Sequence, residues 1–130
     1  MNRTEAKTFI VVYLRVTAFV TLGIGVILLC FPGVILHLFI PGSNEGFFIR
    51  FIGSALIGYS TLNFLASNAG DIKTYKIALD ANLVTLGIAT VLSIIGVMSG
   101  AITSYGWLLV LEHSVFTTLF ALARVVTKNL

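Results

Sequence analysis

The sequence predicts an all-α integral membrane protein, a four-helix bundle with both termini in the cytoplasm. Three observations predict this class: the composition, four long apolar runs, and basic residues that flank these runs on one predicted side only. Hydrophobic residues make up 58% of the 130 residues and charged residues 10%, with a mean hydropathy of +1.05. A soluble domain is about one quarter charged, and a soluble globule of this size could not bury so much apolar surface. The composition also argues against disorder, a disulfide scaffold and nucleic-acid binding.

The four apolar runs predict the number of membrane spans. They cover residues 9–30, 47–66, 77–98 and 105–126. A helix needs about 20 residues to cross about 30 Å of hydrocarbon, and helices satisfy their own backbone polar groups in lipid. The runs do not alternate polar and apolar residues as the strands of a small barrel would. We therefore expect a single transmembrane domain over residues 1–130.

Basic residues predict the orientation of these spans. They lie before the first run, between the second and third runs, and at the end of the fourth: Arg3, Lys7, Lys73, Lys76, Arg124 and Lys128. The connection 31–46 carries Glu45 and no base, and the connection 99–104 carries no charge. The positive-inside rule therefore predicts a multi-pass protein of the bacterial inner membrane with both termini inside. Anionic lipids of the cytoplasmic leaflet are the expected partners of these bases.

The connection between the first and second runs contains a short apolar segment, residues 34–40, between Pro32-Gly33 and Pro41-Gly42. Seven residues are too few to span a membrane. One interpretation is a short helix at the outer interface, started by Pro32. The alternative is a re-entrant flap that points His37 into a cavity.

Small and hydroxyl residues at three- or four-residue spacing predict which helix faces pack, because packing replaces the hydrophobic effect in lipid. The expected packing positions are Gly25, Ser54, Gly58, Gly96 and Gly100. We expect these stripes to face the bundle interior. A stripe used for dimerisation would look the same in the sequence, so that alternative stays open.

Charged residues inside the runs predict two pairs by depth, since a helix rises about 1.5 Å per residue. Arg15 and Asp80 both fall in the cytoplasmic half, and Arg50 and Glu112 both fall in the outer half. We expect each pair to meet directly or through water, with Arg124 as a competing partner for Asp80. Arginine suits such sites because its guanidinium stays charged and can donate two parallel hydrogen bonds to a carboxylate.

Glu112, His113 and His37 form the candidate proton or ligand site, because histidine titrates near neutral pH. The alternative is structural, with Glu112 and His113 as two polar residues near a wet outer vestibule. No metal site is predicted, because the His-x-x-x-His and Glu-x-x-His spacings are missing. No nucleophile–base set, phosphate loop or dinucleotide fingerprint is present either, so we predict no catalytic residue and no cofactor.

The first half of the chain carries a recognisable order of residues. Tyr13-Leu14-Arg15 enters the first run, Pro32-Gly33 follows it, and Ile49-Arg50-Phe51-Ile52-Gly53 opens the second run. This order, together with Gly23, Gly25 and Gly58, resembles the DoxX-like group of small bacterial four-helix membrane proteins. The resemblance implies an inner-membrane bundle, in some members associated with quinone or thiol redox systems. Cys30 is the single cysteine, so a dithiol reaction within this chain is not expected.

These features predict an accessory or assembly-forming subunit, or a binder of lipophilic ligands, without catalysis of its own. The expected partners are membrane lipids and either further copies of the chain or other membrane-protein subunits. One alternative is a small proton-coupled transporter or channel that works as an oligomer, with Glu112 and Asp80 as coupling carboxylates. The second alternative is a quinone- or lipid-linked redox enzyme subunit, with Arg50, Glu112 and His113 around its ligand.

Overall fold

The computed structural model describes residues 2–43 and 46–127, and the regular secondary structure of these residues is entirely helical. The helices are α1 (Arg3–Cys30), α2 (Pro32–Phe39), α3 (Gly46–Ala69), α4 (Ile72–Met98) and α5 (Gly106–Val126). By length and composition, α1, α3, α4 and α5 could each cross a membrane. The predicted all-α class with four long apolar helices is confirmed. Glu45 and Lys128, which entered the orientation argument, lie outside the described residues.

Polar caps explain why α1 and α4 begin before their apolar runs. The Asn2 side chain accepts the Glu5 backbone N–H at 2.9 Å, and the Glu5 carboxylate accepts the Asn2 N–H at 2.8 Å. This reciprocal pair is a capping box.

At the start of α4, the Asp71 carboxylate accepts hydrogen bonds from the side-chain hydroxyl and the backbone N–H of Thr74. These bonds to Thr74 hold the pKa of the Asp71 carboxyl below its usual value. The cap therefore stabilises α4 at neutral pH and loses its charge as the pH falls through that lowered pKa.

The long helices form two antiparallel pairs. α1 packs along α3, and α4 packs along α5, whereas the contacts of α3 with α4 and of α1 with α5 are less extensive. Each helix therefore has two neighbours, in the order α1, α3, α4, α5 around the bundle. We call the end with the start of α1, the α3–α4 connection and the end of α5 the termini end. The opposite end, with α2 and the α4–α5 connection, is the loop end.

Two glycines allow α1 and α3 to approach each other closely. A Cβ atom added to Gly25 would lie 2.8 Å from the Gly53 carbonyl oxygen, and one added to Gly53 would lie 2.7 Å from the Gly25 oxygen. Both distances are shorter than carbon–oxygen contacts allow, so only glycine fits at either position. Gly25 is one of the packing positions named from the sequence, whereas Gly53 is not.

The other packing positions have different environments. Ser54 and Gly58 are exposed, and a Cβ on Gly58 would have no atom within 4 Å. The expectation that they face the interior is wrong, because Gly53 turns a different face of α3 toward α1. Gly96 packs against Ile102 of the α4–α5 connection, and Gly100 occupies a turn with a φ of +75°.

The buried core lies in the termini half of the bundle. All four long helices contribute to it: Ile10, Leu14, Ala66, Tyr75, Ala78, Leu79, Phe120 and Ala123. Tyr13 of α1 packs edge-on against Phe120 with ring centroids 4.7 Å apart, and its hydroxyl donates to the Phe116 carbonyl at 3.3 Å. This is the region where the two helix pairs are joined.

At the loop end, α2 ties the pairs together. Pro32 stands in its first turn, and Pro32 and Leu36 are buried. Thr103, in the α4–α5 connection, donates its hydroxyl to the Leu38 carbonyl at 2.7 Å and its N–H to the Phe39 carbonyl at 2.9 Å. These bonds fix α2 against the other pair.

The glycine contact generates a stability prediction. We expect Gly53→Ala to lower the free energy of unfolding by about 1–3 kcal/mol, because the new methyl group overpacks the interface. Gly58→Ala is the matched control and should leave stability unchanged or raise it by up to about 1 kcal/mol, since alanine is the better helix former. Reversible unfolding in mixed micelles, followed by circular dichroism, measures both. Equal effects of the two changes would contradict this packing of α1 on α3.

Candidate functional site

A pair of buried asparagines connects the two helix pairs. Asn63 of α3 is 0% exposed and Asn82 of α4 is 1% exposed. Asn82 Nδ2 donates to Asn63 Oδ1 at 2.7 Å, and Asn63 Nδ2 donates to Asn82 Oδ1 at 3.2 Å. Asn82 Nδ2 also donates to the Ala78 carbonyl at 2.6 Å. Because an unpaired amide in an apolar interior is costly, this exchange fixes how α4 sits against α3.

Sequence reasoning did not name the Asn63–Asn82 pair as a site. The available signal was that both are strongly polar residues in the same half of apolar runs. Their pairing, however, depends on which faces of α3 and α4 meet, and that is a tertiary property.

A second polar group, which we call the His113 cluster, consists of Ser93, Glu112 and His113. His113 Nδ1 lies 3.2 Å from Ser93 Oγ, and His113 Nε2 lies 3.3 Å from Glu112 Oε2. The imidazole therefore bridges a hydroxyl on α4 and a carboxylate on its own helix. Ser93 is buried, whereas the Glu112 side chain is 37% exposed.

The geometry of the His113 cluster suits proton exchange. Imidazole can carry a proton on either ring nitrogen. His113 can therefore transfer a proton between the Ser93 hydroxyl and the Glu112 carboxylate. Both helices bring the cluster into the loop-end half, because Ser93 lies near the end of α4 and His113 near the start of α5. His37, the third residue of the predicted site, is exposed on α2. Among the described residues, the side chains bonded to His113 are those of Ser93 and Glu112.

The ion pair that Asp80 forms is with Arg124. Arg124 Nε lies 2.5 Å from Asp80 Oδ1, and Arg124 Nη1 donates to Thr127 Oγ1 at 3.1 Å. The predicted Arg15–Asp80 pair is therefore wrong, and the competing partner Arg124 holds the carboxylate. The reason is that α4 packs on α5, so a side chain on this face of α4 meets α5 before α1. The Asp80 side chain is still 52% exposed.

Arg15 binds the end of α3 instead. Its Nη2 donates to Asn68 Oδ1 at 2.8 Å and its Nε to Ser67 Oγ at 3.4 Å. Because α1 and α3 are antiparallel, the guanidinium reaches toward the termini end, where the long side chain can place its charge near water.

The predicted Arg50–Glu112 pair is also wrong. Arg50 Nη1 donates to the Leu29 carbonyl at 3.0 Å, in the last turn of α1, where helix carbonyls lack intrahelical partners. Glu112 contacts His113. The two residues are kept apart because α3 and α5 are not neighbours in the bundle.

The remaining features are a thiol and two open grooves. Among residues 2–43 and 46–127, no three His, Cys, Asp or Glu side chains come together as a metal site, and Cys30 is an exposed free thiol. One groove, of about 280 Å³, lies between α1 and α3 and is lined by Ala18, Phe19, Leu22, Ser60, Thr61 and Phe64. The other, of about 270 Å³, follows α5 and is lined by Ser114, Val115, Thr118 and Leu119.

The asparagine pair generates a coupling prediction. We expect Asn63→Leu and Asn82→Leu each to destabilise the bundle, because each leaves a buried amide without its partner. In the double variant, the loss in the free energy of unfolding should be smaller than the sum of the two single losses, by about 0.6 kcal/mol and at most about 1.7 kcal/mol. These are the mean and the maximum found for polar contacts between membrane helices. Asn63→Leu combined with Thr118→Val, a distant exposed position, should be additive. Unfolding in mixed micelles measures both combinations, and full additivity of the Asn63–Asn82 cycle would refute the coupling.

Comparison with known proteins does not add to this site. No protein-family model, no curated protein and no solved structure matches the chain. The resemblance to the DoxX-like group stays a prediction from the first half of the sequence, and the function is inferred from the residues alone.

Proposed function

We propose that this chain is a four-span protein of the bacterial inner membrane that serves as an accessory or assembly-forming subunit, without catalytic chemistry of its own. Its partners are membrane lipids and either further copies of itself or other membrane proteins. The observation that carries this proposal is that the long helices present the charged side chains of Arg50, Asp80 and Glu112 at least partly outward.

The membrane setting rests on the four long helices and on where the bases lie. Lys7 stands near the start of α1, Lys73 and Lys76 stand at the start of α4, and Arg15 reaches toward the end of α3. All of these positions belong to the termini end, whereas Arg50 lies near the loop end. The exposed aromatic residues Tyr105 and Trp107 lie at the loop end, as expected for an interfacial belt. This distribution supports an orientation with both termini on the cytoplasmic side. To test it, a cysteine is introduced at position 101 and the cells are treated with a thiol reagent that cannot cross the membrane. The proposed orientation predicts that this cysteine is labelled.

Outward polar groups support an assembly. Asp80 and Glu112 lie on α4 and α5 with side chains 52% and 37% exposed, and Ser54, Thr61 and Thr118 are also exposed. Charged side chains within membrane helices are costly, by about 2.5–3.5 kcal/mol at the helix centre on insertion scales. A polar side chain of another protein helix can pair with such a charge and reduce that cost, whereas lipid tails cannot.

The groove between α1 and α3 supports a lesser role in lipid binding. Its lining is mostly apolar, and both of its hydroxyl groups already donate to backbone carbonyls, Ser60 Oγ to Ala18 at 2.6 Å and Thr61 Oγ1 to Ile57 at 3.0 Å. An open groove of about 280 Å³ suits part of an acyl chain better than a specific polar ligand, since ligand pockets are usually larger and enclosed. We therefore place assembly before ligand binding.

The proposal predicts the composition of particles extracted with native lipid. Polymer-bounded discs cut directly from membranes should contain more than one copy of the chain, or the chain with another membrane protein, when their mass is measured. Chemical cross-linking before extraction is the control for reassembly during purification. Discs holding one copy and lipid alone, both with and without cross-linking, would refute the subunit role.

The His113 cluster favours one other function, a proton-coupled transporter or channel that works as an oligomer. Its contacts of 3.2 and 3.3 Å link a hydroxyl, an imidazole and a partly exposed carboxylate, and neighbouring carboxylate and imidazole groups within membrane helices are typical of proton relays.

This second function predicts proton flux through the reconstituted protein. Liposomes with a pH-sensitive dye inside and an imposed potassium diffusion potential should acidify faster with the protein than without it. Glu112→Gln should reduce that rate at least tenfold, while Asp71→Asn, at the α3–α4 connection, should not change it. A native rate equal to that of empty liposomes, or equal rates for native protein and Glu112→Gln, would exclude this function for the cluster.

A further inference from the structure

Two opposite charges at the loop end are held apart within one copy of the chain. Arg50 is exposed on α3, and Glu112 is half exposed on α5. We infer that copies of this chain dock on one another so that Arg50 of one copy meets Glu112 of the next. This inference rests on the proposed assembly and names the surfaces that form it.

The α5 surface has an acid surrounded by apolar side chains. Leu108 and Val115 lie one turn before and after Glu112, Leu111 lies beside it, and all three are exposed. The partner that the described part of the chain offers this carboxylate is His113, at 3.3 Å. Apolar side chains around such a carboxylate exclude water from an ion pair formed there, as the contacts around a binding hot spot do.

The α3 surface is complementary to it. Within residues 2–43 and 46–127, Arg50 donates one bond, to the Leu29 carbonyl, and a guanidinium has five N–H groups. Phe47 and Phe51 on either side are 75% and 65% exposed. One turn further, Ser54 and then Gly58 are exposed on the same face, and small residues there let another helix approach closely.

The two charges lie at similar depth. Arg50 is four residues from the start of α3 and Glu112 six residues from the start of α5, which at 1.5 Å per residue is about 6 and 9 Å from the loop end. Copies related by rotation about the membrane normal keep these depths. Both helices run from the loop end toward the termini end, so α3 of one copy lies parallel to α5 of the next. The long side chain of Arg50 spans the remaining difference.

The contact is head-to-tail. α3 and α5 are not neighbours in the bundle, because each lies beside α1 and α4. Each copy therefore offers two different surfaces, and such contacts close as rings when the rotation permits. In the assembly, Arg50 reaches the outer side of the His113 cluster of the adjoining copy.

Charge reversal tests this contact because it can be rescued between copies. Two differently tagged versions of the full chain are co-expressed and extracted with native lipid, and the fraction of one tag that co-purifies with the other is measured. Arg50→Glu in both copies, or Glu112→Arg in both copies, should lower that fraction at least fivefold, since like charges then face each other. Co-expressing one Arg50→Glu copy with one Glu112→Arg copy should restore it to within about twofold of native.

Control variants distinguish this contact from misfolding and from a general effect of charge. Lys7→Glu, a charge reversal at the termini end, should leave co-purification unchanged. Rescue in the mixture also shows that both variants fold, and Arg50→Gln, which removes attraction without adding repulsion, should give an intermediate loss.

Two outcomes would overturn the inference. If native copies co-purify but the mixture stays as dissociated as each variant alone, this contact is refuted while the subunit role stands. The same failure of the mixture to re-associate is expected if the partner of Arg50 is a lipid phosphate group. If native chains neither co-purify nor carry another protein, both proposals fail.

Discussion

The contact between Gly25 and Gly53 determines which face each residue of α3 presents. Because the two backbones approach so closely that no Cβ fits, α3 can pack on α1 in one rotation only. That rotation turns Ser60, Asn63 and Ser67 inward and leaves Arg50, Ser54 and Gly58 outside. In lipid, where apolar surface gains little from burial against another helix, close approach of small residues is the main source of packing energy. The inward and outward faces of α3 named above follow from this contact.

The second helix pair depends on a different interaction. α4 and α5 carry few buried residues, and their attachment to the first pair relies on the termini-end core and on the amide exchange between Asn63 and Asn82. A hydrogen bond between buried amides has directional requirements that apolar packing lacks, so it specifies one register. The loop end has the Thr103 bonds to α2 as its corresponding link. The bundle is therefore two packed helix pairs that are joined near both ends.

This architecture explains why the charges inside the long helices fall into two classes. Arg15 and Arg124 have partners in their own bundle, at the termini end, where side chains can also reach water. Glu112 and Arg50 lie at the other end, on helices that are not neighbours, and both remain open to what surrounds the bundle. A protein with little mass outside its long helices offers a partner mainly such surfaces. For this reason assembly through α3 and α5 is the function that we place first.

The sequence by itself determined the class and the number of long helices, because hydropathy and run length depend only on residue type and order. It also named Gly25, and it named Arg124 as a competitor for Asp80, since depth along a helix can be counted from the sequence. It could not supply the rotation of each helix or the choice of neighbours. Those depend on where Gly53 meets Gly25, a contact between residues 28 positions apart. Tertiary structure therefore decided that Asp80 pairs with Arg124, that Ser54 and Gly58 face outward, and that Arg50 and Glu112 stay apart, because equal depth does not imply adjacent faces.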